Sequence, residues 1–419
     1  MTTSNPTKSW RLTWIVAAPH RLGFFAAALM LATSSIWWSG VLVSRELGHA
    51  LAWSVSPTVA HSLLMSLGFT PFFIVGFLFT AGPKWLDLPE VNARSLLSFV
   101  VLMLCGWALT VTGIHTHRIL ASAGTALVAA GWTGLCLKFI SLLRQSRVHD
   151  RFHATVVATA CSVGAIALWL ASASLTVGSE LLLRSAIQIA IWGFIATVFA
   201  AVSHRMIPFF SASSIARLDA WRPMWLLWVM LAVMWLELLP AVAELWWWPL
   251  PAGLRWTQIV IEIPASSLLL WLAVRWGLVQ SLKIRLLAML HGGFMWLGLA
   301  LALYAISHVL MALTGGDISL GLAPLHAMTM GYLGATLIAM STRVSSGHSG
   351  RPLAADNIAW TLYWVLQSAV VLRVIAALWI SAATPLILLG VMAWATATVG
   401  WALRYGSWFG RPRLDGRPG

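Results

Sequence analysis

Charge is scarce in this chain. Of 419 residues only 9% are Asp, Glu, Lys or Arg, where a soluble domain carries roughly 25%. With 60% hydrophobic residues and a mean hydropathy of +0.85, disorder and a basic soluble nucleic-acid-binding fold are excluded. Cysteine is nearly missing. Cys105, Cys136 and Cys161 all lie in apolar runs without C-x-x-C spacing, so a disulfide scaffold is excluded and the three read as small buried hydrophobes. There is no Walker-type glycine loop, no H-E-x-x-H and no nucleophile elbow, which removes the common nucleotide, zinc-protease and serine-hydrolase chemistries. No stretch reads as a strand. No connection is long enough for a separate soluble domain, the longest being the basic segment 203–220.

What the chain has instead is long apolar runs. A helix needs about 20 mostly apolar residues to cross the hydrocarbon. On that rule twelve spans are predicted, over 22–44, 58–82, 95–114, 118–143, 152–176, 183–202, 221–244, 257–280, 286–313, 320–343, 357–380 and 383–403. Pro71, Gly76 and Pro264 do not break them, because neighbouring helices repair kinked spans. The 27 tryptophans suit a protein with two water–lipid boundaries to anchor. The first run follows Lys8, Arg11 and Arg21 and is too long for a signal-peptide core, so it is expected to stay as an anchor. With the N-terminus inside, 21 of the 26 Lys and Arg fall on inward connections. Arg45, Arg118, Arg184 and Arg255 fall outward, and Arg373 lies within span 11. The fold class expected is all-α: a single polytopic membrane domain over 1–419 with both termini cytoplasmic. The net charge of +14 then reflects topology, not an anionic ligand.

Ionisable residues inside the membrane are the first functional suspects, because hydrocarbon penalises them unless they have a partner. His61 lies about one turn into span 2 and His326 at a similar depth in span 10. Both spans descend from the outer face, so the two imidazoles should share one level, roughly 5–9 Å inside at 1.5 Å per residue. Two neutral imidazoles at one depth on different helices meet the requirement of a bis-histidine haem iron. Met65 and Met330 follow one turn further in, and Gly68, Gly76, Gly331 and Gly334 would leave room for a flat macrocycle or allow close helix approach. The plainer alternative for each histidine is a hydrogen bond to a carbonyl or Ser on a neighbouring helix, and for each methionine adaptable packing. His308, His115 and His117 also fall on the outer side, the last two read as solvated loop residues.

An inward group comprises His20 at the start of span 1, His204 at the end of span 6, His291 at the start of span 9 and His348 in the loop after span 10. Arg21, Arg205, Arg343 and Arg351 accompany them. One reading is a second metal or haem site whose arginines hold propionates by charge-assisted bonds; the other is a gathering of basic residues on the cytoplasmic face. Glu237 and Glu262 in spans 7 and 8 are the deepest acids, with Arg373 the matching base. A proton or ion relay and a Glu–Arg tie between helices both remain open readings.

Several segments resemble the NnrS family. Pro19-His20-Arg21-Leu22-Gly23-Phe24-Phe25 is similar to its opening Pro/Arg/Phe-Phe element, and Arg205-Met206-Ile207-Pro208-Phe209-Phe210 to its R-x-I-P-F-F element. His61, Gly68-Phe69 and the run Gly76 to Trp85 resemble its H…GF…GFLLTA-P-N-W stretch, with Lys84 in place of Asn. His326-Ala327-Met328-Thr329-Met330-Gly331, leading into Arg343 to Leu353, resembles its most specific block, with Ser349 in place of Thr. The resemblance covers about 19–353, leaving spans 357–403 and the tail 404–419 beyond it. It implies a twelve-span protein of the bacterial inner membrane that contains haem, here haem b, and copper, and is associated with nitric oxide metabolism and nitrosative-stress tolerance. His61, His326, His20 and His348 would be the cofactor ligands, with Arg343 and Arg351 beside them and His204 and His291 as weaker metal ligands. Haem, lipid and nitric oxide or a related small molecule are the partners implied; no electron donor is. Helices 2 and 10 also carry the low-spin haem ligands of the haem–copper oxidase and nitric oxide reductase catalytic subunit. The binuclear centre of that subunit has no counterpart here, since position 328 is Met and span 7 has no His-His pair. The rival from another class is a twelve-span secondary transporter of six plus six helices, although 83–94 lacks the Gly/Asp/Arg-rich element of the major facilitator type. A metal-binding accessory or sensor protein is a third.

Overall fold

The computed structural model describes residues 9–416; Lys8 and Arg417, which enter the charge count, lie outside the described residues. Twelve long helices run through it: α1 Pro19–Glu46, α2 Pro57–Trp85, α3 Arg94–His115, α4 Arg118–Gln145, α5 Phe152–Val177, α6 Glu180–Ser214, α7 Met224–Trp246, α8 Ala252–Arg275, α9 Arg285–Thr314, α10 over 323–348, α11 Asn357–Leu378 and α12 Ala383–Phe409. No strand occurs among the described residues. Eleven of the twelve are long and apolar enough to cross a membrane. The remaining one, α10, is diluted by His326, Thr329, Thr336, Ser341 and Thr342, and it tolerates them because the second half of the helix is buried inside the bundle.

The all-helical reading therefore holds, with two boundary corrections. Segment 203–220 is not a connection throughout, since α6 runs on to Ser214 with Pro208 inside it and Ile207 and Ser211 buried. His348 is not in a loop either. It is the last helical residue of α10, where Ser345 and Ser346 are packed against the bundle. Cys136 and Cys161 are buried as expected, the Cys136 thiol donating to the Cys161 carbonyl at 3.3 Å. Cys105 is exposed on the outside of α3, because an apolar run in a membrane helix has a lipid-facing side as well as a buried one.

Sequential helices pack as neighbours, and α12 closes the bundle against α1. The closure is polar as well as apolar: Trp394 Nε1 and Thr398 Oγ1 both donate to Ser35 Oγ, at 3.1 and 3.0 Å. The Arg11 N–H donates to the Gly410 carbonyl at 2.8 Å, and Arg21 Nη1 to the Arg411 carbonyl at 2.6 Å. The first and last described segments thus sit on one face, called here the terminal face. Glycine sets the closest approaches. A Cβ on Gly23 of α1 would meet Gly76 Cα of α2 at 2.7 Å and the Phe72 carbonyl at 2.8 Å. Tryptophans cluster exposed near the ends, Trp225 and Trp228 on the terminal side and Trp246, Trp247 and Trp248 opposite, as amphipathic anchors at two boundaries should.

Three helices form the centre. The most apolar stretches of α2 and α6 are 83% and 78% buried, against 28–56% for the other spans so measured. These two and α10 each contain a wide π-type segment, Leu64–Gly68, Ile189–Ala196 and Ala327–Gly334, and the α6 segment touches both others. A π turn carries one extra residue, which frees a carbonyl and re-aims the side chains beside it; such turns concentrate at functional sites.

Candidate functional site

In α2 the wide turn begins three residues after His61, and in α10 it begins directly after His326. The distortion therefore lies where the two outward histidines must be aimed. His61 stacks on Trp38 of α1, ring centroids 4.0 Å apart and 24° between planes, and its Nδ1 is buried without a hydrogen-bond partner. His326 Nδ1 donates to the Leu322 carbonyl at 2.9 Å, the bond that leaves Nε2 as the lone-pair nitrogen. The two imidazoles lie within electrostatic reach of one another and of Arg373 on α11. Arg373 is thus placed beside the histidine pair and not beside Glu237 and Glu262. The sequence ties these acids to no particular cation because it carries depth but not azimuth.

At the terminal end His20 and His348 meet, their ring centroids 4.4 Å apart and tilted by 42°. His20 is buried and packs edge-on to Phe24 at 6.4 Å. Cations crowd this pair. Arg21 reaches back to two carbonyls of the tail, Arg351 lies over Trp408 at 4.0 Å, and Arg343 over Phe210 at 4.0 Å. Burial, with Arg411 and Arg404 nearby, holds the Arg351 guanidinium below its ordinary value. Acids are few here: Asp415 bonds Arg413 at 2.6 Å and Asp356 pairs with Arg404.

Beside this pair a cavity of about 350 Å³ opens between α2, α6 and α10. Its walls are apolar, among them Phe77, Val198, Phe199 and Met340, while Lys84, Arg343 and His348 line its terminal end. Two hydroxyls that line it, Thr80 Oγ1 and Thr336 Oγ1, are buried without partners, and a buried unpaired hydroxyl costs about 1–3 kcal/mol. On α2 the cavity is lined by residues from Phe73 to Trp85, so it occupies the half of the bundle remote from His61. The size is that of a small-molecule site.

His204 and His291 do not join this cluster. His204 Nδ1 bonds His153 Nε2 at 3.0 Å and its Nε2 reaches the Pro223 carbonyl at 3.2 Å. His291 Nε2 bonds Ser211 Oγ at 2.9 Å. His115 is not a loop residue: it ends α3, pinned between Trp37 Nε1 at 2.8 Å and the Ala52 carbonyl at 2.9 Å. His117 caps α4 through Ile119 N, and His308 bonds Glu262 at 3.0 Å. Among the described residues no three His, Cys, Asp or Glu side chains converge to hold a metal ion. Sequence reasoning missed Trp38, Thr80, Thr336 and His153. Only the His153 position, one residue into α5 at the same membrane level as His204, carried a usable signal.

These features define a multi-pass, all-helical membrane protein with histidine pairs at both ends of its central helices and a cationic, apolar-walled cavity between three of them. The chain belongs to the NnrS family, whose model, described as NnrS protein, matches residues 14–413. The match runs through α11 and α12, past the 19–353 stretch that carries the recognisable motifs. Among curated proteins no match is found.

Proposed function

We propose that this NnrS-family chain is a haem-binding protein of the bacterial inner membrane, with the terminal face cytoplasmic, that serves nitric oxide metabolism and nitrosative-stress tolerance. One observation carries the reading. His61 and His326 stand on two central helices, each beside a wide turn, with His326 Nδ1 committed to a carbonyl. That is the donor set and tautomer an imidazole-ligated iron needs. His61 and His326 would hold it, Trp38 would keep the His61 ring in orientation, and Arg373 would neutralise an acidic group of the cofactor. Bound haem b would supply one-electron exchange and, where one of the two imidazoles gives way, a binding position for a small diatomic such as nitric oxide.

The cavity is the second candidate position. Its unpaired Thr80 and Thr336 hydroxyls, its apolar walls and its Lys84–Arg343 end suit a flat apolar ligand with carboxylates. His348 lines it and would be the single protein ligand of a haem there, because the His20 and His348 rings, centroids 4.4 Å apart, touch and leave no space for a flat macrocycle between them. Copper would take those two imidazoles and further donors from outside the chain, since no third protein donor converges there.

The test is a reduced-minus-oxidised visible spectrum of the purified protein, with and without nitric oxide, and a pyridine haemochrome and metal analysis on the same sample. A low-spin b-type spectrum that responds to nitric oxide is expected, and it should be lost in His61→Ala and His326→Ala with the protein still inserted. Full haem content in both variants would remove His61 and His326 as its ligands. A colourless, well-folded protein made with ample haem would remove the whole reading.

A further inference from the structure

A second polar system lies away from both histidine pairs, in α7, α8 and α9. It begins near the face opposite the termini, where Glu244 of α7 pairs with Arg255 of α8 and Arg255 also reaches Gln258 at 3.4 Å. Deeper in, His308 of α9 contacts Glu262 of α8, its Nδ1 at 2.8 and 3.0 Å from the two carboxylate oxygens. Glu237 of α7 lies within hydrogen-bonding reach of Glu262. The Tyr304 ring is 5.9 Å from His308 and 5.8 Å from Trp192 in the wide turn of α6. Arg255, Glu262, Glu237 and His308 are 2%, 0%, 6% and 5% exposed.

Helix positions turn this into depth. At 1.5 Å per residue, His308 is about 9 Å and Glu237, Glu262 and Tyr304 about 14–15 Å from the helix ends at that face. The hydrocarbon is about 30 Å thick, so the two carboxyl groups reach its middle. Charge then separates a relay from a tie. Arg255, the buried guanidinium, pairs with Glu244 and also lies within electrostatic reach of Glu262, so three carboxyl groups face one guanidinium and one imidazole. A tie between helices needs one acid per base. Two carboxyl groups in contact cannot both ionise and hold a proton between them.

We propose that this system is a proton path from water at the face opposite the termini to the middle of the bundle, with Glu237 and Glu262 sharing a proton at its inner end. His308 takes a proton from the water side on one ring nitrogen and releases the proton of Nδ1 to Glu262. Glu262, then protonated beside the proton already held with Glu237, returns one of the two to Nδ1 while the other ring nitrogen releases its proton to water, so the shared proton exchanges with the outside and no charge accumulates. The groups facing the path are Glu237 and Glu244 from α7, Arg255 and Glu262 from α8, and Tyr304 and His308 from α9. From α6 comes Trp192, whose ring lies against Tyr304. The path stands on these helices and is independent of what the histidine pairs bind.

Infrared difference spectroscopy of the full-length protein at neutral pH tests it. The C=O stretch of a protonated carboxylic acid is expected, lost in Glu237→Gln and in Glu262→Gln, and shifted within minutes of transfer to heavy water. His308→Phe should slow that exchange by about tenfold or more, as loss of one transfer partner does. Asp219→Asn at the terminal face should leave it unchanged. Should a glutamine variant fail to fold, the wild-type band and its exchange rate still decide. Absence of the band, a band that does not exchange over days, or exchange indifferent to His308 would each overturn the path.

Discussion

The approach of α1 to α2 depends on an atom that is not there. Gly23 faces Gly76, and a Cβ at residue 23 would lie 2.7 Å from Gly76 Cα and 2.8 Å from the Phe72 carbonyl, with Gly76 N nearer still. Real Cβ contacts lie at 3.4–4 Å, so Gly23→Ala must push the two backbones apart by more than half an ångström. Backbone cannot turn aside as a flexible side chain can, which sets the cost near the top of the overpacking range of about 1–3 kcal/mol. Gly40, on the same helix, has nothing within 4 Å of its would-be Cβ. There the same substitution carries only the gain in helix propensity, about 0.5–1 kcal/mol. Gly23→Ala should therefore lower the thermal transition of the detergent-solubilised protein by about 1–3 °C, from an unfolding entropy of about 2 cal/mol/K per residue. Gly40→Ala should leave it level or raise it. His20 stands one turn before Gly23, so Gly23→Ala should also loosen the His20–His348 contact, read as altered imidazole signals. Equal transitions for the two variants would refute the reasoning, since helix propensity alone predicts equality.

Arg255 is buried while its partner Glu244 is about one-quarter exposed. Arg255→Met should destabilise by about 3 kcal/mol because it strands a carboxylate, and adding Glu244→Gln should restore much of that, a coupling readable from a double-mutant cycle in chemical unfolding. The exposed pair Arg184–Glu180 is the contrast: Glu180→Gln should change stability by less than about 0.5 kcal/mol. Thr336→Val keeps the shape of the cavity wall and removes an unpaired hydroxyl, so the ligand-free protein should gain about 1 kcal/mol in the same assay. A loss of comparable size would mean that the hydroxyl is satisfied.

Much of the fold was legible because a membrane imposes a one-dimensional rule. Every backbone polar group must be bonded within its segment, so each run of about 20 apolar residues becomes a helix. That rule is blind to what happens past the hydrocarbon. Val202 marked the end of the apolar run in span 6, yet α6 continues through His204, Pro208 and Ser211 to Ser214 because those residues pack on neighbours beyond the boundary. The same holds for Arg343 to His348 at the end of α10. The wide turns of α2, α6 and α10 had no visible signature, since a π turn is a property of packing at the centre of the bundle.

The candidate sites divide along the same line. Sequence assigns each histidine a depth, and depth is enough where few residues share a level on the central helices, as with His61 and His326. On the terminal side four histidines share a level, and depth cannot say which face each helix turns toward which neighbour. The bundle resolves them by azimuth. α1 and α10 meet at His20 and His348, α5 and α6 at His153 and His204, and His291 is left to the Ser211 hydroxyl. With His153 joining them, the four become two pairs and one hydrogen-bonded ring, and of these only the His20–His348 pair adjoins the cavity and its cations. If the second site serves a ligand, substitution should follow that division. His348→Ala should weaken binding of an anionic apolar probe such as haem itself, measured by titration of the His61→Ala protein so that the other pair is silent. His204→Ala should reduce stability, through the stranded His153 ring, and leave the titration unchanged. Equal losses of binding from both variants would restore the single cluster that depth alone suggests.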